Sequence, residues 1–394
     1  MSNKATLSRP RPSIWTDPQI RAWLFQIIAV VAVVAIGWYL FHNTQHNLQQ
    51  RGILSGFGFL EQSAGFGISQ HLIDYNESNS YGRVFLIGLL NTLLVTVVGI
   101  IFATLIGFTV GVARLSPNWL IRKLATIYIE TFRNIPPLLQ IFFWYFAVIG
   151  PLPGPRESLS LGDIFFFNKR GVQMPAPLAA EGLVPFLIAL LVSVIVAIVL
   201  WRWAHKRRLA TGQGFPVWPC VLALLLGVPG LTMLVAGVPV HWDVPVLQGF
   251  NFRGGWVMAP ELTSIVLALS IYTAAFIAET VRSGIQAVSH GQTEAARSLG
   301  LRPGRILRLV IIPQAMRVIV PPLTSQYLNL TKNSSLAAAI GYPDMVSLFA
   351  GTVLNQTGQA IEVMAITMSV YLAISISISL LMNGYNKRIA LVER

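Results

Sequence analysis

The feature that most limits what this chain can fold into is a series of apolar runs, each about as long as a bilayer-crossing helix. A hydrocarbon core is spanned by about 20 mostly apolar residues in helical form. Eight segments meet that length: 23–41, 84–112, 124–149, 183–201, 217–238, 262–283, 316–336 and 362–383. Composition agrees, with 11% charged and 54% hydrophobic residues among 394, against about 25% charged in a soluble domain. The expectation is an all-α polytopic membrane protein with about eight transmembrane helices. Two runs carry interruptions. The third holds Glu130, Arg133 and Pro136-Pro137, and the seventh holds Pro321-Pro322, Gln326, Asn329, Lys332 and Asn333. Polar or irregular backbone at membrane depth is tolerated only against protein or a wet cavity. Both runs are therefore expected to face the interior, with the helix after Pro321-Pro322 partly unwound.

Lysine and arginine set the orientation. With the N-terminus inside and the spans alternating, 21 of the 28 lysines and arginines fall inside and six outside, with Lys332 within a span. Most acids fall outside. Both termini are then inside, and the net charge of +13 is positive-inside charge, so nucleic acid is excluded as a partner. The basic start (Lys4, Arg9, Arg11, Arg21) precedes an apolar run longer than a signal h-region, with no small-x-small cleavage site after it. An uncleaved first span is expected. The single cysteine, Cys220, permits no disulfide within the chain.

Enzyme signatures are missing from the sequence. None of the six lysines follows a glycine, so there is no phosphate-binding G-x-x-x-x-G-K-[ST] loop. There is no H-E-x-x-H, and the six histidines are scattered. The expectation is no catalytic residue, no metal site and no cofactor bound by this chain.

The most charged and punctuated segment lies between two apolar runs: "TEAARSLGLRPGRILRLVIIPQA", 293–315. Thr293 is placed to N-cap a short helix, with Glu294 in its first turn. Gly300 stands where a C-terminal glycine ends a helix, and Pro303 where a proline opens one. Arg302, Arg305 and Arg308 recur on one face, with Ile306, Leu309, Val310 and Ile312 towards the other, and Pro313 closes the segment. The expectation is two short helices joined by a glycine elbow under the membrane. Spacing leaves three readings: a basic interfacial helix on anionic lipid, a disordered positive-inside loop, or a docking element for a cytoplasmic partner. The elbow favours docking, since a helix lying on lipid needs no break after six residues.

"EAARSLGLRPGRILRLVIIP" resembles the EAA loop of bacterial ABC importer permeases. Glu294, Ala295, Ala296, Gly300, Val310, Ile312 and Pro313 occupy the places of that signature, with Val310 where isoleucine is commoner. The polar amino acid permeases are resembled more widely. "YIETFRNIPPLLQIFFWYF" (128–146) is similar to their span bearing F-R-x-x-P-L-L-x-Q, "SIYTAAFIAETVRSGIQAVSHGQTEAARSLG" (270–300) matches closely, and "LTKNSSLAAAIG" (330–341) resembles their K-[DN]-[ST]-S-L segment. With 91–116 this covers a five-span core. The chain looks like the longer permease subunit of general L-amino acid importers. It departs from short members by its first span and by an insertion from about 151 to 256.

The resemblance implies a type I importer core, N-in and C-in. In order, the parts are a cytoplasmic N-terminus (1–22), an extra span (23–41), a first core part (84–149), an insertion with two added spans (150–261), a second core part (262–383) holding the EAA loop (294–313), and a cytoplasmic C-terminus (384–394). It implies a transmembrane subunit of an ATP-driven amino acid importer in a bacterial inner membrane. The partners implied are a second homologous permease, two ATP-binding subunits that hold ATP and Mg²⁺, a periplasmic amino-acid-binding protein and membrane lipid. Coupling to the ATPase is implied for Glu294, Ala295, Ala296, Arg297, Gly300, Arg302, Arg305 and Pro313. The expected substrate pathway comprises Arg133, Gln140, Tyr272, Thr273, Phe276, Glu279, Asn329, Lys332, Asn333, Ser334 and Ser335.

The residues alone leave two points open. Gly99, Ala103, Gly107 and Gly111 recur every four residues, a face for close helix contact, either inside the subunit or at a dimer seam. Glu279 and Arg282 are spaced to pair, and the pair reads equally as a functional intramembrane ion or as a clasp between spans. An ion-coupled secondary amino acid transporter with Glu279 as coupling acid is the alternative function, and a membrane-anchored scaffold is a third.

Overall fold

The computed structural model describes residues 18–50 and 56–389. The expected N-terminal arm up to residue 17, with Lys4, Arg9 and Arg11, and the last five residues lie outside the described part. Among the described residues, seven helices are long and apolar enough to cross a membrane, and a shorter apolar helix covers Pro137–Ile149.

Helix α1 (Pro18–Gln50) stands apart from the rest, with no part of its apolar window buried. Helix α2 (Tyr81–Ala113) buries one continuous face in the core, including Val84, Ile87, Asn91, Val95, Gly99, Ala103, Gly107 and Gly111. Helix α3 (Trp119–Asn134) starts at Asn118, whose side chain accepts hydrogen bonds from the Leu120 and Ile121 amides at 2.9 and 3.3 Å. It stops at Ile135, which is extended ahead of Pro136 as a residue before proline must be. Helix α4 (Pro137–Phe142) then begins and runs on as a π-helix to Ile149. The third expected span is thus two helices meeting at a proline break.

The insertion contains eight short strands, which the expectation of an all-α protein did not include. They are β1 (Leu159–Leu161), β2 (Phe165–Asn168), β3 (Gly171–Met174), β4 (Ala176–Ala179), β5 (Val240–Asp243), β6 (Val246–Gln248), β7 (Asn251–Arg253) and β8 (Trp256–Met258). They form an antiparallel sheet β1-β2-β3-β8 and two hairpin-like pairs, β4-β5 and β6-β7. The signal was present but brief. Gly162-Asp163, both at positive φ, turn β1 into β2, and glycine-bounded runs of three or four residues are too short to show period-two alternation. Between these strands rise α5 (Leu183–Thr211) and α6 (Val217–Ala236), packed on each other through Ala189, Ser193, Ala197 and Ala204.

Helix α7 (Pro260–Gln286) is the centre of the fold and the most buried of the spans. Helix α8 (His290–Ser298) follows. The chain then enters α9 (Pro303–Ile306), a π-helical stretch (Leu307–Ile311), α10 (Ile312–Asn333) and a 3₁₀ stretch to Ile340, all one uninterrupted helical rod. Two expectations fail here. Pro313 does not end a helix, and Pro321-Pro322 do not unwind one. The π-helical turn immediately before Pro313 is the kind of distortion that lets a helix pass a residue lacking its N–H. After Gly341 a buried turn leads to a π-helix (Val346–Val353) and α11 (Leu354–Thr357), then α12 (Ala360–Ile389). Asp344 is fully buried in that turn, accepting from the Ser347 amide at 2.8 Å and the Tyr371 hydroxyl at 3.1 Å.

The four-residue repeat of small residues on α2 lies inside the subunit, against α7. A Cβ on Gly107 would sit 2.6 Å from the Ile277 side chain, and one on Gly111 would sit 2.7 Å from the Ala278 carbonyl oxygen. Gly99 faces Leu330 of α10 at 3.2 Å. Gly107→Val or Gly111→Val is therefore expected to destabilise the protein by about 1–3 kcal/mol through overpacking. Gly37→Val on the unpacked α1, where a Cβ meets nothing within 4 Å, is expected to leave stability unchanged. Thermal unfolding in detergent compares the three; equal midpoints for all would disprove the close contact.

Candidate coupling segment and inner ion cluster

Helix α8 begins one turn earlier than its sequence suggests. Ser289 is the extended residue before it and His290 opens it, so Thr293 lies within the helix and not at its cap. Glu294 sits in the second turn, where its carboxylate meets His290 Nδ1 at 3.0 Å. The helix ends as expected. Gly300 is left-handed at φ +73. Its amide donates to the Arg297 carbonyl at 2.8 Å, and the Leu301 amide donates to the Ala296 carbonyl at 3.2 Å. These are the two bonds of a Schellman ending.

The segment has one buried seam and one bare face. Ala296 and Ile306 are buried, and Gln314 reaches back to Gln292 at 3.3 Å, so α8 is held against the foot of the long rod. Of the apolar set expected opposite the arginines, only Ile306 is buried; Leu309 and Ile312 are exposed. Glu294, Ala295, Arg297, Arg302 and Arg305 are exposed, and Leu299 is 81% exposed at the elbow. Sequence reasoning passed over Leu299, because a leucine in an apolar chain carries no signal until its surroundings are known.

Glu279 and Arg282 do pair, with Arg282 Nη2 2.5 Å and Nε 3.1–3.2 Å from the carboxylate oxygens. Arg114, at the C-terminal end of α2, also bonds Glu279, and its Nη2 lies 3.4 Å from Glu130 of α3. Arg114 of α2 thus joins α7 through Glu279 and α3 through Glu130, and Glu279 is the acid that ties α7 into this cluster. Glu279 lies 19 residues along α7, roughly 29 Å from its outer start at 1.5 Å per residue, near the end that leads into α8. Arg114 was not foreseen as its partner, since 165 residues separate the two.

The other expected pathway residues divide. Gln140 is buried, and its amide donates to the Phe132 and Ile135 carbonyls at 3.0 Å each, stapling the proline break. Thr273 and Ser334 are also buried, in packed interior. Tyr272 and Phe276 are half-buried with rings 5.0 Å apart, and exposed Arg133 stands 5.3 Å over the Phe276 ring. On α10 and its 3₁₀ extension, Asn329 and Lys332 are exposed and Asn333 and Ser335 half-buried. Among the described residues no ion pair joins Lys332 to Glu279.

Known proteins resemble the chain over nearly its whole length. Residues 226–391 match the family described as binding-protein-dependent transport system inner membrane component. The putative amino-acid ABC transporter permease protein YhdX of Escherichia coli (strain K12) is 62% identical over 96% of this chain and 97% of its own. The general L-amino acid transport system permease protein AapQ of Rhizobium johnstonii is 53% identical over 96% and 94%. The glutamate/glutamine/aspartate/asparagine transport system permease protein BztB of Rhodobacter capsulatus is 42% identical over 96% of each chain.

The ion cluster yields a thermodynamic test. Glu279→Gln leaves Arg282 without a carboxylate and Arg114 with Glu130 alone, and a double-mutant cycle with Arg114→Met is expected to show a coupling of about 0.5–3 kcal/mol. Unfolding midpoints of the two single variants and the double variant measure it; strict additivity would mean that the contact carries no energy.

Proposed function

Because this chain belongs to the amino-acid ABC transporter permeases and is a transmembrane subunit of such an importer, we propose that α8 is where force from ATP hydrolysis enters it. The observation that carries this reading is mechanical. A helix bare on one side is clamped on the other to the foot of a continuous rod, Pro303–Ile340, that crosses the membrane. Leu299 and the arginines offer a partner an apolar knob ringed by cations, the pattern of an interface anchor with a polar rim.

In this reading two ATP-binding subunits hold ATP and Mg²⁺, and one of them seats α8. A second, homologous permease completes the translocation path, and a periplasmic amino-acid-binding protein delivers substrate to the outer face of a bacterial inner membrane. Displacement of α8 moves α10 directly and α7 through the short 287–289 link. The Glu279–Arg114 contact hands the α7 movement to α2, and Arg114–Glu130 passes it to α3, so the acid acts as a mechanical tie at the inner end. The substrate path lies along Arg133, Tyr272 and Phe276 on one side and Asn329, Lys332, Asn333 and Ser335 on the other. These groups offer a zwitterion cationic, polar and aromatic contacts. Exposed polar groups within a span are expected to face protein or a wet path and not lipid.

Leu299→Asp is expected to leave the permease inserted and folded but to abolish ATP-dependent uptake in proteoliposomes and weaken retention of the ATP-binding subunit by tenfold or more, as loss of an interface anchor of about 2 kcal/mol or more does. Gly300→Val, which forces a β-branched residue into a left-handed turn, is expected to lose uptake while the ATPase stays bound. Normal uptake by both variants would refute the proposal.

A further inference from the structure

The α5–α6 hairpin ends in a concentration of positive charge with nothing to balance it. From 182 to 242 the chain contains no aspartate or glutamate, yet Arg202, Lys206, Arg207 and Arg208 fall within seven residues. All four are exposed, and among the described residues none makes an ion pair. Aromatic rings surround them. Trp201 stacks on His205 at 5.9 Å, Trp203 meets Phe215 edge-on at 5.5 Å, and the Arg207 guanidinium lies 5.4 Å over the Trp203 ring. Tryptophan among cations at a span end marks the membrane–water interface.

Two cavities adjoin there. The first, about 230 Å³, lies between α5 and α6 and is wholly apolar, lined by Val194, Ala197, Ile198, Val221 and Leu225. The second, about 290 Å³, lies towards the turn between the helices and is lined by His205, Arg208 and Phe215. Trp201, Val217 and Trp218 line both. From Val194 to Arg208 the α5 wall runs roughly 21 Å at 1.5 Å per residue, passing from aliphatic to aromatic to cationic. That is the order of an acyl chain, a glycerol region and an anionic headgroup.

We propose that this hairpin is a binding site for an anionic phospholipid of the inner leaflet. The acyl chain lies in the apolar cleft, and the phosphate is held by Arg208 with His205, which line the adjoining cavity. Charge complementarity selects this occupant. Arg208 in the cavity that continues a wholly apolar cleft, with three further exposed cations around the same end of α5, matches a molecule that is anionic at one end and hydrocarbon at the other, and basic pockets between spans on the cytoplasmic side bind such headgroups. A zwitterionic lipid would leave the cations unpaired, and a free phosphate would leave the cleft empty.

Native mass spectrometry of the assembled transporter tests this with added phosphatidylglycerol and phosphatidylcholine. Phosphatidylglycerol is expected to be retained at about tenfold lower concentration than phosphatidylcholine. Arg208→Gln is expected to reduce that preference about fivefold, in line with the contribution of about 1 kcal/mol from one basic residue near an anionic surface. Val194→Trp, which fills the apolar cleft from an exposed position, is expected to weaken phosphatidylglycerol retention while Arg208 remains. Glycerophosphoglycerol and inorganic phosphate at matched concentration are expected not to compete. Equal retention of the two lipids, unchanged binding in both variants, or competition by free phosphate would overturn the lipid assignment. So would cross-linking of the hairpin face to the other permease with no lipid retained.

Discussion

Everything else in the permease core is arranged around the contact between α2 and α7. Its backbones approach so closely that a single added carbon at Gly107 or Gly111 would overlap Ile277 or the Ala278 carbonyl. In lipid, apolar side chains gain little by leaving the membrane for each other, so helix association rests on packing and on polar contacts. Glycine facing alanine gives the closest packing. With Ala274, Ala275 and Ala278 buried on the facing helix, the pair forms a rigid spine. The Glu279–Arg114 contact closes its inner end.

Against that spine the two proline-bearing spans behave in opposite ways. At Pro136 the chain breaks, and the freed Phe132 and Ile135 carbonyls are taken up by Gln140. At Pro313 and Pro321-Pro322 the helix continues. The difference is local. Ile135 is extended ahead of a Pro-Pro pair that opens a new helix, whereas Pro313 follows a π-helical turn that absorbs the lost bond. Continuity on that side has a consequence for coupling, because a push at α8 meets one rod and no hinge.

The insertion is organised by a different rule. Its two helices are buried chiefly by each other, and its strands tie them to the outer end of α7 through the pairing of β3 with β8. The core therefore keeps its packing while carrying an accessory hairpin whose inner tip is free to meet the membrane surface.

The sequence by itself determined that the chain is a helical membrane protein of about eight spans, where most of them lie, and the glycine elbow at Gly300. Each is set by local chemistry: run length against bilayer thickness, and a left-handed position that only glycine fills without strain. The pairing of Glu279 with Arg282 was legible for the same reason, since three residues on a helix share a face. What only the tertiary structure decided were relations between distant residues. They include Arg114 on Glu279, the small-residue face of α2 turned to α7 and not to a dimer seam, and the withdrawal of Gln140, Thr273 and Ser334 into the packed interior. They also include Leu299 as the bare knob of α8, and the alignment of an apolar cleft with Arg208. Composition and spacing fix what a residue can do; only the fold fixes which partner it meets, because in a membrane every span offers its neighbours nearly the same apolar face.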